Sequence, residues 1–174
     1  MDHEAEQHRT LRMTVLMTPD TANFSGKVHG GHVLKLLDQA AYACASRYAA
    51  SYVVTLSVDQ VLFLEPVYVG ELVTFMAAIN YTGRTSMEAG IRVLAENIRS
   101  RLTRHVMTCY FTMVAVDDAG RSTVVPRFTP SNDLERRRWA AAQLRREYRR
   151  EIEQRSLEIR QHPEELMRAG EFEH

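Results

Sequence analysis

Cysteine is scarce in this chain: two residues, Cys44 and Cys109, among 174. Each lies in an apolar run and no C-x-x-C pattern occurs, which argues against a disulfide scaffold and a thiolate metal or redox site. Both read as small core residues in a reducing compartment. Neither sign of charge is in excess: Lys plus Arg number 22, Asp plus Glu 22, and the formal net charge is zero. That balance recommends neither nucleic acid nor a membrane surface as partner. No apolar run approaches the ~18 residues of a membrane helix. The opening MDHEAEQHRT is too polar for a secretory leader, so a cytoplasmic location is expected. Also missing are a G-x-S-x-G elbow, a P-loop and a G-x-G-x-x-G turn, which disfavours the hydrolases and nucleotide binders built on them.

What remains is an ordinary globular composition, 45% hydrophobic and 25% charged, with room for one core and a modest extension. Residues 11–16 (LRMTVL) predict a first strand, and a loop rich in Pro, Asp, Asn and Gly follows. A helix is expected over about 30–47. Runs rich in β-branched and aromatic residues then predict strands at 52–64, 71–82, 85–97 and 102–117. The links are short: a turn at 65–70 (EPVYVG), a tight hairpin at 82–84 (TGR) and a stop at 117–120 (DDAG). Short links between successive strands imply antiparallel pairing. The helix looks apolar nearly all round and so must be enclosed. The expected class is α+β, an antiparallel sheet wrapped around a long central helix, over residues 1–130.

From 131 to 174 an Arg-rich helical extension is expected. Residues 131–160 carry nine Arg and six acidic residues. Ser131 or Asn132 can cap that helix, with Glu135 in its first turn. Leu144, Tyr148 and Ile152 form a narrow i, i+4 stripe. The Arg cluster could touch phosphates, but a solvated amphipathic face is the blander reading.

The chemistry concentrates in VHGGHVLKLLDQAAYACAS, residues 28–46. Asp38 interrupts an apolar helix. It either pairs with Lys35 at i, i+3 or serves in a cleft as general base or nucleophile. Gly30 and Gly31 open the helix, whose first amides lack internal partners and suit an anion or a carbonyl oxygen gaining charge. They could equally be a plain turn. His29 and His32 stand at i, i+3, but no third ligand accompanies them and no metal is expected. Asn23, in the preceding loop, is a turn residue or a group that orients water or substrate. The turn Gly83, Arg84, Thr85, Ser86 offers a guanidinium and two hydroxyls, a grip for phosphate or simply an exposed hairpin.

Taken in order, PDTAN (19–23), GKVHGG (26–31), LLD (36–38), EPVYVG (65–70) and YTGRTSME (81–88) resemble the hotdog-fold acyl-CoA hydrolases, above all the cytosolic long-chain enzymes and their short bacterial relatives. The resemblance spans about residues 10–160. It implies a hotdog fold and hydrolysis of fatty acyl-CoA to fatty acid and coenzyme A. Asn23 and Asp38 would be the catalytic pair, meeting across a dimer interface, with the carbonyl near the Gly31 amide. It further implies a homohexamer, a trimer of dimers, and no cofactor beyond the coenzyme A of the substrate. His29, Gly30 and the Gly83–Ser86 turn would contact substrate or coenzyme A. The acyl chain would need an apolar channel beside the helix. The competing readings are a non-catalytic hotdog sensor of acyl-CoA or nucleotide, and a dehydratase using His29 or His32.

Overall fold

The computed structural model describes residues 8–161. These form two compact units, one ending at Thr129 and the other beginning at Pro130. In the first unit five strands make one antiparallel sheet: β1 (Thr10–Leu16), β2 (Tyr52–Val58), β3 (Glu71–Thr82), β4 (Ser86–Asn97) and β5 (Leu102–Val116). Their order is β1-β3-β4-β5-β2, so β1 and β2 are the edges. The helix α1 (Gly30–Ala49) lies on one face.

Period-two alternation builds that face. β3 turns Val73, Phe75, Ala77 and Ile79 inward, and β4 turns Met87, Ala89, Ile91 and Val93 the same way. α1 meets them with Val33, Leu36, Leu37, Ala40, Ala41, Cys44, Ala45 and Tyr48, a stripe at helical spacing. Small residues dominate its middle, which lets the helix approach the sheet closely.

Two expectations need correction. The helix is not apolar all round: Leu34, Lys35, Asp38, Gln39 and Tyr42 form an exposed strip opposite the sheet. All five strands of the sheet nonetheless contact α1, as a sheet wrapped around a central helix requires. The second strand also ends early, at Val58 instead of residue 64. Leu56 is a bulge, since Thr55 faces Met113 and Ser57 faces Thr112. One further bond, Asp59 N–H to the Tyr110 carbonyl at 2.9 Å, continues the edge before the chain leaves it. Residues 59–67 then run without regular structure.

In the second unit α2 (Asp133–Gln161) begins with a reciprocal cap. The Glu135 amide donates to Asn132 Oδ1 (3.0 Å), and the Glu135 carboxylate accepts from the Ser131 amide (2.8 Å). Asn132 is therefore the cap. Leu144, Tyr148 and Ile152 are exposed. Among the described residues no helix is long and apolar enough to cross a membrane, and no group of three or more His, Cys, Asp or Glu is placed to hold a metal ion.

Candidate active site

Asn23 sits at the start of a tight loop closed by its own amide donating to the Lys27 carbonyl (2.6 Å). Its side-chain oxygen accepts three hydrogen bonds: from the Ser25 amide (2.9 Å), the Ser25 hydroxyl (2.8 Å) and the Lys27 amide (3.2 Å). Two of these donors are backbone N–H groups, which must meet an oxygen, so the orientation of the amide is fixed. Its Nδ2 has no acceptor among the described residues. Asn23 is thus arranged to donate to a ligand, not to accept from one. The loop is fastened to the segment after β2 by the Val28 amide on the Val67 carbonyl (2.9 Å).

Helix α1 starts where this loop ends. His29 is its N-cap, and His29 Nδ1 accepts from the Gly31 amide at 3.1 Å. The Gly31 amide is therefore covered by its own cap, and a carbonyl reaches it only when the imidazole swings off. The Gly30 amide has no acceptor among the described residues. His32 is the third residue of the helix and belongs to no group of three or more His, Cys, Asp or Glu placed to hold a metal ion among the described residues.

Asp38 stands two turns further along α1, about 12 Å down the axis from Gly30 at 1.5 Å per residue. It is exposed, not sunk in a cleft of its own chain. Lys35 does not pair with it. Instead Thr55 Oγ1 donates to Asp38 Oδ1 at 2.7 Å. Thr55 comes from edge strand β2, immediately before the bulge, which aims it at the helix. The sequence reading missed Thr55 because nothing local marks it: its partner is 17 residues away. The Ser/Thr alternation of β2 was the one available signal.

The Gly83–Ser86 turn joins β3 to β4, with the Gly83 amide donating to the Ser86 carbonyl (2.7 Å). Arg84 is exposed, while the Arg84 and Thr85 carbonyls accept from Val125 and Ala115. This turn lies past the end of β3, whereas the Asn23 loop lies by its start. One chain therefore holds them at opposite ends of the sheet. It brings together Asn23, Gly30, Gly31 and His29, and separately Asp38 with Thr55.

A third group braces the segment after β2. The Arg104 guanidinium donates to Glu65 (2.7 Å), to the buried Glu71 (2.6 Å) and to the Pro66 carbonyl (3.2 Å). It also lies over the Tyr68 ring, 5.6 Å from its centre. The hydrogen bond that Arg104 donates to Glu65, then the one it donates to Glu71, raise its pKa above the ordinary value. Cys44 and Cys109 are buried and free, and burial pushes both thiols up to about 12.

Residues 25–102 match the thioesterase superfamily. Protein VdlD of Helicobacter pylori is 50% identical over 139 residues, covering 80% of this chain and 79% of that protein. An apo-hexameric acyl-CoA thioesterase superimposes with a TM-score of 0.81 at 34% identity, covering 84% of this chain and 94% of that one. The acyl-CoA hydrolase of Staphylococcus aureus, solved with butyryl coenzyme A and coenzyme A, superimposes with a TM-score of 0.78 at 28% identity over 95% of this chain and 97% of its own. Variants of that protein with an asparagine, an aspartate or a threonine changed to alanine are also similar in structure. The three changed positions have the same spacings along the chain as Asn23, Asp38 and Thr55.

Proposed function

The chain belongs to the thioesterase superfamily and is an acyl-CoA thioester hydrolase, and we propose that each of its working sites is built from two copies of it. The observation that carries this reading is the separation of Asn23 from Asp38 within one chain, both with chemistry facing outward. Asn23 presents a donor with no partner among the described residues, and Asp38 presents a carboxylate held by Thr55 on the exposed strip of α1.

The edge strand supports the same reading. β2 exposes Tyr52, Val54, Leu56 and Val58 beside the Asp38–Thr55 pair, and one side of its backbone is unpaired. A long apolar edge of this kind calls for a covering partner. A second copy pairing about a two-fold axis would bring each Asp38 toward the other chain's Asn23 loop. Three such dimers would make the hexamer, an assembly named for one similar thioesterase.

In this arrangement the thioester carbonyl oxygen receives the Asn23 Nδ2 donor and a first-turn amide, that of Gly31 once His29 has moved. Charge gained by that oxygen is met by the Asn23 donor, already in place, and by the Gly31 amide once it is uncovered. Asp38 of the other copy either takes the proton of a water whose oxygen attacks the carbonyl carbon, or attacks that carbon itself, in which case loss of the thiolate leaves a mixed anhydride on Asp38 that a water then cleaves to the acid and the free carboxylate. Collapse of the tetrahedral species breaks the C–S bond, and coenzyme A leaves as a thiolate. The products are a fatty acid and coenzyme A. The Gly83–Ser86 turn, with Arg84, receives the coenzyme A phosphates. No cofactor enters the scheme.

Mixing two inactive variants tests the construction. Asn23→Ala and Asp38→Asn homomers should each release almost no thiol from acyl-CoA. After joint refolding, mixed dimers contain one intact site, and roughly a quarter of wild-type turnover should return for random pairing about a two-fold axis. No recovery, with mixed oligomers demonstrated, would place both residues in a single-chain site.

A further inference from the structure

Between the Asn23 loop and the irregular segment 59–67 lies a cavity of about 300 Å³, beside the start of α1. Asn23 stands at one side of it. Its apolar surface comes from Val28, Val33, Phe63, Leu64 and Val67. Resting on the hydrolase reading above, we propose that this slot receives the acyl chain of the thioester and that Phe63 sets how long a chain it accepts.

Three observations carry the proposal. The first is polarity. The cavity has at Asn23 an amide donor with no partner among the described residues and hydrocarbon on most of its remaining walls, which matches a carbonyl joined to an alkyl tail. Lys27 and Glu65 also line it, but Glu65 is already held by Arg104, which leaves Lys27, among the described residues, as the one cation on a mainly apolar lining. The second is that the slot is preformed. The Leu64 amide donates to the Val106 carbonyl (2.9 Å), Arg104 grips Glu65 and the Pro66 carbonyl, and Val28 ties down Val67. The irregular wall is thereby pinned on the sheet side without a ligand.

The third is the packing of Phe63 against Gly30. A Cβ built on Gly30 would lie 3.5 Å from Phe63 Cζ and 3.9 Å from Cε2, ordinary contact distances. The absent side chain at Gly30 is therefore the space beneath the ring. Phe63 is itself 46% exposed, so its face is available to cover a tail. The volume sits at the low end for small-ligand pockets, which suits short and medium acyl chains and not a long one in full.

The test is a series of straight-chain acyl-CoAs from acetyl to palmitoyl, read as kcat/KM by thiol release. For wild type, kcat/KM should rise about fourfold per methylene until the slot is full, then level off. Phe63→Ala should move that plateau to longer chains, and Gly30→Ala should move it to shorter ones, since its methyl occupies the space under the ring. Changes by the same factor at every chain length in these variants would mean that the cavity holds the pantetheine arm, and would overturn the proposal. If Phe63→Ala loses its cooperative melt, Phe63→Leu takes its place under the same criterion. Absence of hydrolysis by the wild type on every substrate would instead sink the hydrolase reading itself.

Discussion

Thr55 Oγ1 donates a 2.7 Å hydrogen bond to Asp38 Oδ1, joining edge strand β2 to the exposed strip of α1. One carboxylate oxygen is thereby held, and the other has no hydrogen-bond partner among the described residues. Thr55→Ala should lower kcat by about ten- to a hundredfold, the worth of a hydrogen bond to a charged group, with little change in KM. Thr55→Ser should restore most of the rate. Both residues are exposed, so the melting temperature should hardly move. Steady-state kinetics beside a thermal melt separates the two effects.

Asp38→Asn keeps the shape of the side chain and removes its capacity to take a proton or attack. Hydrolysis should fall to background while the fold and coenzyme A binding persist. Thiol release and calorimetric titration with coenzyme A check this on one preparation. Turnover near wild type would take Asp38 out of the chemistry.

His29→Ala removes the cap from α1 and uncovers the Gly31 amide. Loss of a cap costs about 1 kcal/mol, so the melting temperature should drop by a few degrees. Hydrolysis should stay within about tenfold of wild type, because the ring is not asked to move a proton. Complete loss of activity in a folded variant would favour the histidine-based dehydration considered from the sequence.

Arg104→Ala leaves Glu71, 4% exposed, without its guanidinium partner. A buried carboxylate stripped of its counter-ion costs about 3–5 kcal/mol, which urea unfolding would register as a lower midpoint. Lysine at 104 should recover only part of this, since one ammonium cannot reproduce the fork that reaches Glu65, Glu71 and the Pro66 carbonyl together.

Arg84→Ala should raise KM more than it lowers kcat, because a phosphate contact remote from the carbonyl binds substrate and transition state alike. Initial rates over a range of acyl-CoA concentrations decide this. An unchanged KM would remove Arg84 from the coenzyme A site.

Much of the fold was legible because its signals are local. Alternation marked β3, β4 and β5 almost to the residue, and the Gly-Gly start placed α1 at residue 30. The apolar run after β2 misled because hydrophobicity alone does not distinguish a strand from an irregular wall: the run VLFL (61–64) is apolar as a strand would be but makes no ladder. The exposed strip on α1 was hidden for a related reason, since Leu34 and Tyr42 are apolar in type yet face away from the sheet. At the site, Asn23 and Asp38 stood out as polar groups in conspicuous places. Thr55, the His29 cap and the Arg104 clamp did not, because each takes its meaning from a partner chosen by the fold.

The two cysteines have a practical consequence at the bench. Cys44 and Cys109 are enclosed in the core and their thiols are held far from ionisation, so neither offers a thiolate to a disulfide reagent near neutral pH. A colorimetric count of liberated coenzyme A therefore starts from a silent protein background. The same reagent doubles as a foldedness gauge: two protein thiols per chain should become countable when a variant unfolds, in the cuvette where its turnover is measured.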